Sequence, residues 1–183
     1  MKILGISGSL RTNSYNTKLL EISQDIFADD HQIDIFSLCE IPLYNADLDT
    51  DAKPVSVTAL IDAIASCDVV LFATPEYNYS ISGVLKNAID WASRPAYESV
   101  LAGKPAGILS ASRGPVGGAR AQSQLRHVLA ATLTPVLPQR EYLLPFASEA
   151  FDESGNLLGE NMTRRLERYI CQLIEWAKDF QVI

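Results

Sequence analysis

The sequence predicts an α/β protein, with one parallel sheet covered by helices on both faces. Short apolar stretches alternate with amphipathic stretches of helical period along the chain. Within Asp68-Val69-Val70-Leu71-Phe72-Ala73, the continuous apolar run is the pattern of a strand buried on both sides. Strands and helices in strict alternation imply crossover connections, and those pair strands in parallel.

Lys2 to Ser7 reads as the first strand. A helix follows from Ser14 to Phe27, where Leu19, Ile22 and Ile26 share one face. His31 to Leu38 alternates through Ile33, Ile35 and Leu38 and reads as the second strand. Pro42 to Pro54 is a loop rich in Asn, Asp and Pro. Val55 to Ser66 carries a helical stripe of Val57, Leu60, Ile61, Ile64 and Ala65, and Asp68 to Ala73 forms the third strand. Ser82 to Ala92 reads as a helix, and Lys104 to Ser110 as the fourth strand. Gly117 to Leu133 places Ala121, Leu125, Val128 and Leu129 on one helical face. Val136 to Leu144 reads as a fifth strand, confined to a sheet edge because Pro135 and Pro138 cannot donate to a ladder. A last helix is marked by Met162, Leu166, Tyr169, Ile170, Leu173 and Trp176. No internal repeat or linker interrupts the series.

The chain has 183 residues, 48% of them apolar, and a formal net charge of −7 from 15 Lys+Arg and 22 Asp+Glu. One domain over residues 1–183 suits that length, since domains usually run ~100–200 residues. The acidic balance and lack of a basic block argue against a nucleic-acid partner. Cys39, Cys67 and Cys171 form no C-x-x-C pair, and neither His31 nor His127 has a companion at ligand spacing, so no metal site is expected. The N-terminal apolar stretch is broken by Ser7, Gly8, Ser9 and Arg11, unlike a signal peptide. No apolar run approaches the ~20 residues that span a bilayer. The expectation is a cytoplasmic protein with no membrane partner.

Ligands of open parallel sheets bind beyond the carboxyl ends of the strands, where strand order reverses. The loops after strands one, three and four are therefore the informative ones. Gly8-Ser9-Leu10-Arg11-Thr12-Asn13-Ser14-Tyr15-Asn16-Thr17 gathers hydroxyls, amides and one arginine at a helix start. Free N–H groups and the dipole favour an anion there, and Arg11 adds a charged fork suited to phosphate. Ser14 also reads as a plain N-cap. The segment is neither a Walker loop nor a dinucleotide fingerprint, because it lacks Gly-Lys-Ser/Thr and the Gly5 and Gly8 spacing is wrong. Thr74-Pro75-Glu76-Tyr77-Asn78-Tyr79-Ser80 suits the rim of a flat heteroaromatic ligand. In Ser110 to Gly118, Gly114, Gly117 and Gly118 allow close backbone approach.

These residues resemble the NAD(P)H-dependent FMN reductase family, which has a flavodoxin-like fold. The matching stretches are Gly8-Ser9-Leu10-Arg11 with Ser14 and Asn16, Pro42-Leu43-Tyr44-Asn45, and Pro75-Glu76-Tyr77-Asn78-Tyr79. Further matches are Gly83 to Trp91, Leu101 to Pro105, Gly117 to Arg120, and Phe151 to Leu157. The resemblance implies a five-stranded sheet of order 2-1-3-4-5 and is nearest to the branch that reduces quinones and, incidentally, chromate. It implies that Ser9, Leu10, Arg11, Ser14, Tyr15, Asn16 and Thr17 hold the FMN phosphate. Pro75, Glu76, Tyr77 and Asn78 would line the isoalloxazine, and Ser112 and Gly114 would approach it from the third loop. Arg113 departs from the small or apolar residue usual in that loop.

NADPH or NADH would be the electron donor, and a quinone or free flavin the acceptor. The cofactor carries such chemistry, so no catalytic side chain is expected. A homodimer or homotetramer is implied, as is common in the family. A flavodoxin-type electron carrier is the alternative, as is a non-catalytic flavin-binding module. The first loop argues against the carrier, since flavodoxins resemble a Thr-Gly-x-Thr pattern more. Tyr79 and Tyr97 read as acceptor-pocket gates or surface packing. Arg120 and Arg126 read as a solvated helix face or subunit contact ahead of recognition of the NADPH 2′-phosphate, and Trp91 and Trp176 as helix packing.

Overall fold

A computed structural model describes residues 1–180. Its elements follow the alternation: β1 (Lys2–Ser7), α1 (Tyr15–Ile26), β2 (Gln32–Phe36), α2 (Val55–Ser66), β3 (Val69–Thr74), α3 (Gly83–Ala92), β4 (Ala106–Ala111), α4 (Ala119–Ala131), β5 (Tyr142–Leu144) and α5 (Glu160–Ala177). Short 3₁₀ turns occupy Ala46–Leu48 and Lys178–Phe180. The strands form one sheet of order β2-β1-β3-β4-β5, every neighbour parallel. Order reverses between β1 and β3, which are paired from Ile3 with Val69 to Ser7 with Ala73.

Successive residues of a strand point to opposite faces, and β3 divides its apolar run accordingly. Val70 and Phe72 join Leu60, Ile64, Leu85, Trp91 and Leu125 beneath α2, α3 and α4. Val69, Leu71 and Ala73 join Leu19, Leu20, Leu166, Ile170 and Leu173 beneath α1 and α5. Gly107 lets α5 come close to the sheet, because a Cβ there would lie 2.6 Å from Leu173 Cδ2.

The fifth strand is shorter than the apolar pattern suggests. Val136 makes a single bridge to Ala106, the chain then leaves the sheet, and pairing resumes only at Tyr142. The ladder ends after the Leu137 N–H donates to the Ala106 carbonyl at 2.9 Å, since the Leu137 carbonyl then accepts from Arg126 Nη1 at 3.3 Å and not from Ile108. The gap leaves the Ile108 N–H facing an open edge, and it donates instead to the Tyr169 hydroxyl at 2.8 Å. The short β5 is nonetheless the edge strand. No helix among the described residues is long and apolar enough to cross a membrane.

Candidate active site

Three loops leave the carboxyl ends of β1, β3 and β4 side by side and enclose a cleft of about 360 Å³. That volume falls in the range of small-molecule sites, ~300–1,000 Å³. Ser9, Arg11, Ser14, Tyr15 and Asn16 line it from the first loop and α1, Pro75, Glu76 and Tyr77 from the second, and Ala111, Ser112 and Arg113 from the third.

The start of α1 is built to receive an anion. Ser14 is the N-cap, its hydroxyl accepting from the Thr17 N–H at 3.2 Å. Its carbonyl accepts from the Lys18 N–H at 3.0 Å. The N–H groups of Tyr15 and Asn16 have no acceptor among the described residues. The first turn carries no acid, so the positive end of the helix dipole is left uncompensated. Arg11 lies beside it, its guanidinium 5.7 Å from the centre of the Tyr15 ring.

The second loop is held by its own turn and by α4. Tyr77 and Ser80 exchange backbone hydrogen bonds of 2.9 and 3.0 Å around Asn78 and Tyr79, whose φ values are 50° and 65°. Positive φ at both central residues gives a tight hairpin turn of type I′ geometry. Glu76 reaches across to α4, accepting from the Arg120 N–H at 3.1 Å and from Arg120 Nη1 at 2.7 Å. The Arg120 guanidinium in turn covers the Tyr79 ring at 4.4 Å.

The third loop is fastened from beneath. Ser110 Oγ donates to the Gly117 carbonyl at 2.7 Å, and Gln122 Nε2 donates to Ser110 Oγ and to the Tyr142 carbonyl, both at 2.9 Å. Gly118, at φ 89°, caps α4 with no room for a side chain, since a Cβ would lie 2.7 Å from Ser110 Cβ.

The sequence-derived site residues do not all arrive at the cleft. Nine line it: Ser9, Arg11, Ser14, Tyr15, Asn16, Pro75, Glu76, Tyr77 and Ser112. Leu10 is exposed outside it, and the Thr17 hydroxyl donates to Ser7 Oγ at 2.9 Å. Asn78 forms the turn, and the Gly114 N–H donates to Ser112 Oγ at 3.2 Å. Asn16 reaches the wall, but its amide is spent on the sheet: Nδ2 donates to the Ala111 carbonyl at 3.1 Å, and Oδ1 accepts the Ala111 N–H at 2.9 Å. The sequence does not mark Ala111, because an alanine at a strand end carries no polar signal. Arg113 lines the cleft as a second guanidinium.

Guanidinium, hydroxyl and helix N–H donors therefore sit beside a rim of proline and tyrosine in one cleft. The family model for NADPH-dependent FMN reductases matches residues 1–149. The chain belongs to that family. An NAD(P)H-dependent FMN reductase of Pseudomonas aeruginosa is 43% identical over 178 residues, covering 97% of this chain and 96% of that protein. A 2-hydroxy-1,4-benzoquinone reductase of a Burkholderia species is 37% identical over 182 residues, covering 100% and 99%. The solved structure of FerB, a flavoenzyme NAD(P)H:(acceptor) oxidoreductase from Paracoccus denitrificans, superposes with a TM-score of 0.89 at 34% identity over 98% of each chain. As a member of this family the protein is an NAD(P)H-dependent flavin oxidoreductase with FMN as its cofactor. The donor set fits FMN. The cleft offers two guanidiniums, three serine hydroxyls and two helix N–H groups, and its single carboxylate is already paired with Arg120.

Proposed function

We propose that this FMN reductase passes electrons from NAD(P)H to a quinone in the cleft over the second loop. The supporting observation is the open N-terminus of α1, with Ser9, Arg11 and Ser14 beside it, in one cleft with Pro75 and Tyr77. Bound FMN supplies the hydride-accepting and electron-donating chemistry. Arg11, the Ser9 and Ser14 hydroxyls, and the Tyr15 and Asn16 N–H groups would hold the phosphate. Pro75 and Tyr77 would flank the ring, and the Ser112 to Gly114 backbone would border its edge. Tyr77 is half-exposed at 49%, which leaves the outer side of the cleft open to a planar acceptor.

The quinone assignment draws on the named activity of the Burkholderia relative and the acceptor activity of FerB. It extends to a cytoplasmic homodimer or homotetramer, acting as a single domain. Exposed Leu43, Tyr79 and Tyr97 provide apolar surface for such contacts, and the three free cysteines suit a reducing compartment.

Anaerobic mixing of the FMN-loaded protein with NADPH, and separately NADH, tests the reading. The flavin should bleach and recover its colour when a benzoquinone is added; a bleached flavin that the quinone does not reoxidise would overturn it. Arg11→Ala should weaken FMN binding by a factor of about 10–150, the loss of one charged hydrogen bond. Unchanged affinity in that variant would remove Arg11 from the phosphate site.

A further inference from the structure

A second cleft, of about 520 Å³, opens at the edge of the sheet between residues 139–142 and α5. It shares no lining residue with the FMN cleft. Its concavity follows from the broken fifth strand. After Pro138 the chain bows away from β4, and the Tyr169 hydroxyl occupies the ladder position left behind.

Arginine dominates the lining. Arg140 comes from the bowed segment, and Arg165 and Arg168 come from α5. These are three of the nine arginines in a chain of net charge −7. None of the three has an ion-pair partner among the described residues. Arg165 donates to the Leu143 carbonyl at 3.4 Å and lies 5.5 Å from the centre of the Tyr142 ring. The cleft's single acid, Glu141, is 3.9 Å from Arg126.

Helix periodicity sharpens the contrast. Asn161, Arg165, Arg168 and Gln172 fall at i, i+4, i+7 and i+11, a single stripe along α5. Neither Arg165 nor Arg168 has an acid three or four residues away, whereas Arg164 on the neighbouring stripe pairs with Glu160. Like charges at i and i+3 repel, and on this helix no internal carboxylate relieves them. The polar amides of Gln139, Asn161 and Gln172 complete the wall.

We propose that this cleft binds a small organic polyanion with two or more phosphate or carboxylate groups, at a site separate from FMN. Guanidinium forks match both groups with paired hydrogen bonds, and convergence of three of them favours a multiply charged ligand over a single anion. The volume accommodates a molecule of metabolite size.

Isothermal titration of the FMN-loaded protein with pyrophosphate, and separately with citrate, tests the site at constant ionic strength set with potassium chloride. Saturable binding of one equivalent is expected, and the tighter of the two probes identifies phosphate or carboxylate as the group recognised. Arg140→Ala with Arg168→Ala should weaken it about a hundredfold, roughly tenfold for each lost charged contact, while flavin content stays unchanged. Arg165 is kept in that variant because it also covers Tyr142. The proposal fails if neither probe binds at millimolar concentration, or if the double variant binds as the parent does. It fails equally if the double variant changes the oligomeric state while neither probe binds the parent, since the face would then belong to a second copy of the chain.

Discussion

Glu76 brings the single carboxylate into a cleft whose other charged side chains are arginines, and its partners show how that charge is neutralised. Its side chain is 10% exposed and bound by both the backbone and the guanidinium of Arg120, near the N-terminus of α4. There it acts as a helix cap donated from another element, with a charge of the sign the dipole favours. Glu76→Gln should therefore separate two effects. Thermal unfolding should show a loss of about 1 kcal/mol, the usual weight of a charged cap. FMN titration should show equal or tighter binding, because Arg120 is released beside the cleft. Weaker binding together with unchanged stability would contradict the capping role. None of this pairing is legible in the sequence, where Glu76 and Arg120 are 44 residues apart. Asn16 teaches the same lesson. A polar residue at a helix start reads as a ligand donor, yet both ends of its amide go to Ala111, 95 residues away. The Asn87 and Trp91 side chains of α3 likewise both donate to the Pro42 carbonyl at 2.8 Å. That motif holds a loop on a helix, a role its residue types do not announce.

Elements are legible where period and caps agree. Ser14 and Ser82 cap α1 and α3 through their hydroxyls, at the starts that the hydrophobic stripes suggest. The fifth strand is not, since periodicity records apolar side chains and not the Arg126 and Tyr169 side chains that take the ladder partners of Leu137 and Ile108. The start of α4 is a further case, because its N-cap is Gly118 with no side-chain bond. The reason is spatial, as the Ser110 side chain fills the place of a Cβ and ties the loop through Gly117. Gly118→Ala would add backbone strain at positive φ of about 1–2 kcal/mol and an overpacking cost of about 1–3 kcal/mol. Chemical denaturation should show the combined loss. FMN affinity should fall as well, since the displaced loop carries Ser112 and Arg113. A variant as stable as the parent would mean that the loop accommodates the methyl without using Gly118's conformation.

At the scale of the whole molecule, alkaline stability depends on phenols buried on the α5 side of the sheet, apart from the cleft at the strand ends. That cleft gathers its charge from Arg11 and Arg113, while the α5 face buries two phenols. Tyr142 and Tyr169 are 2% and 3% exposed, and burial pushes both from 10.0 up to about 12. Each folded-state pKa lies above the unfolded value, so the native protein retains protons that the unfolded chain releases. Their contribution is complete below the unfolded value and is lost as pH rises through the window from 10.0 to about 12. The loss amounts to about 2–3 kcal/mol for each tyrosine, because every tenfold difference in proton affinity between the folded and unfolded chain is worth about 1.4 kcal/mol. Lysines titrate in the same window, so the comparison must be made against Tyr169→Phe. That variant begins less stable by about 1–3 kcal/mol, because the Ile108 N–H loses its acceptor. Its further decline toward high pH should then be shallower than the parent's by one tyrosine's share. Parallel decline of the two proteins in denaturant titrations would show that Tyr169 ionises alike in the folded and unfolded chain. The shallower slope would place the alkaline limit of the fold on the α5 face, away from the cleft at the strand ends.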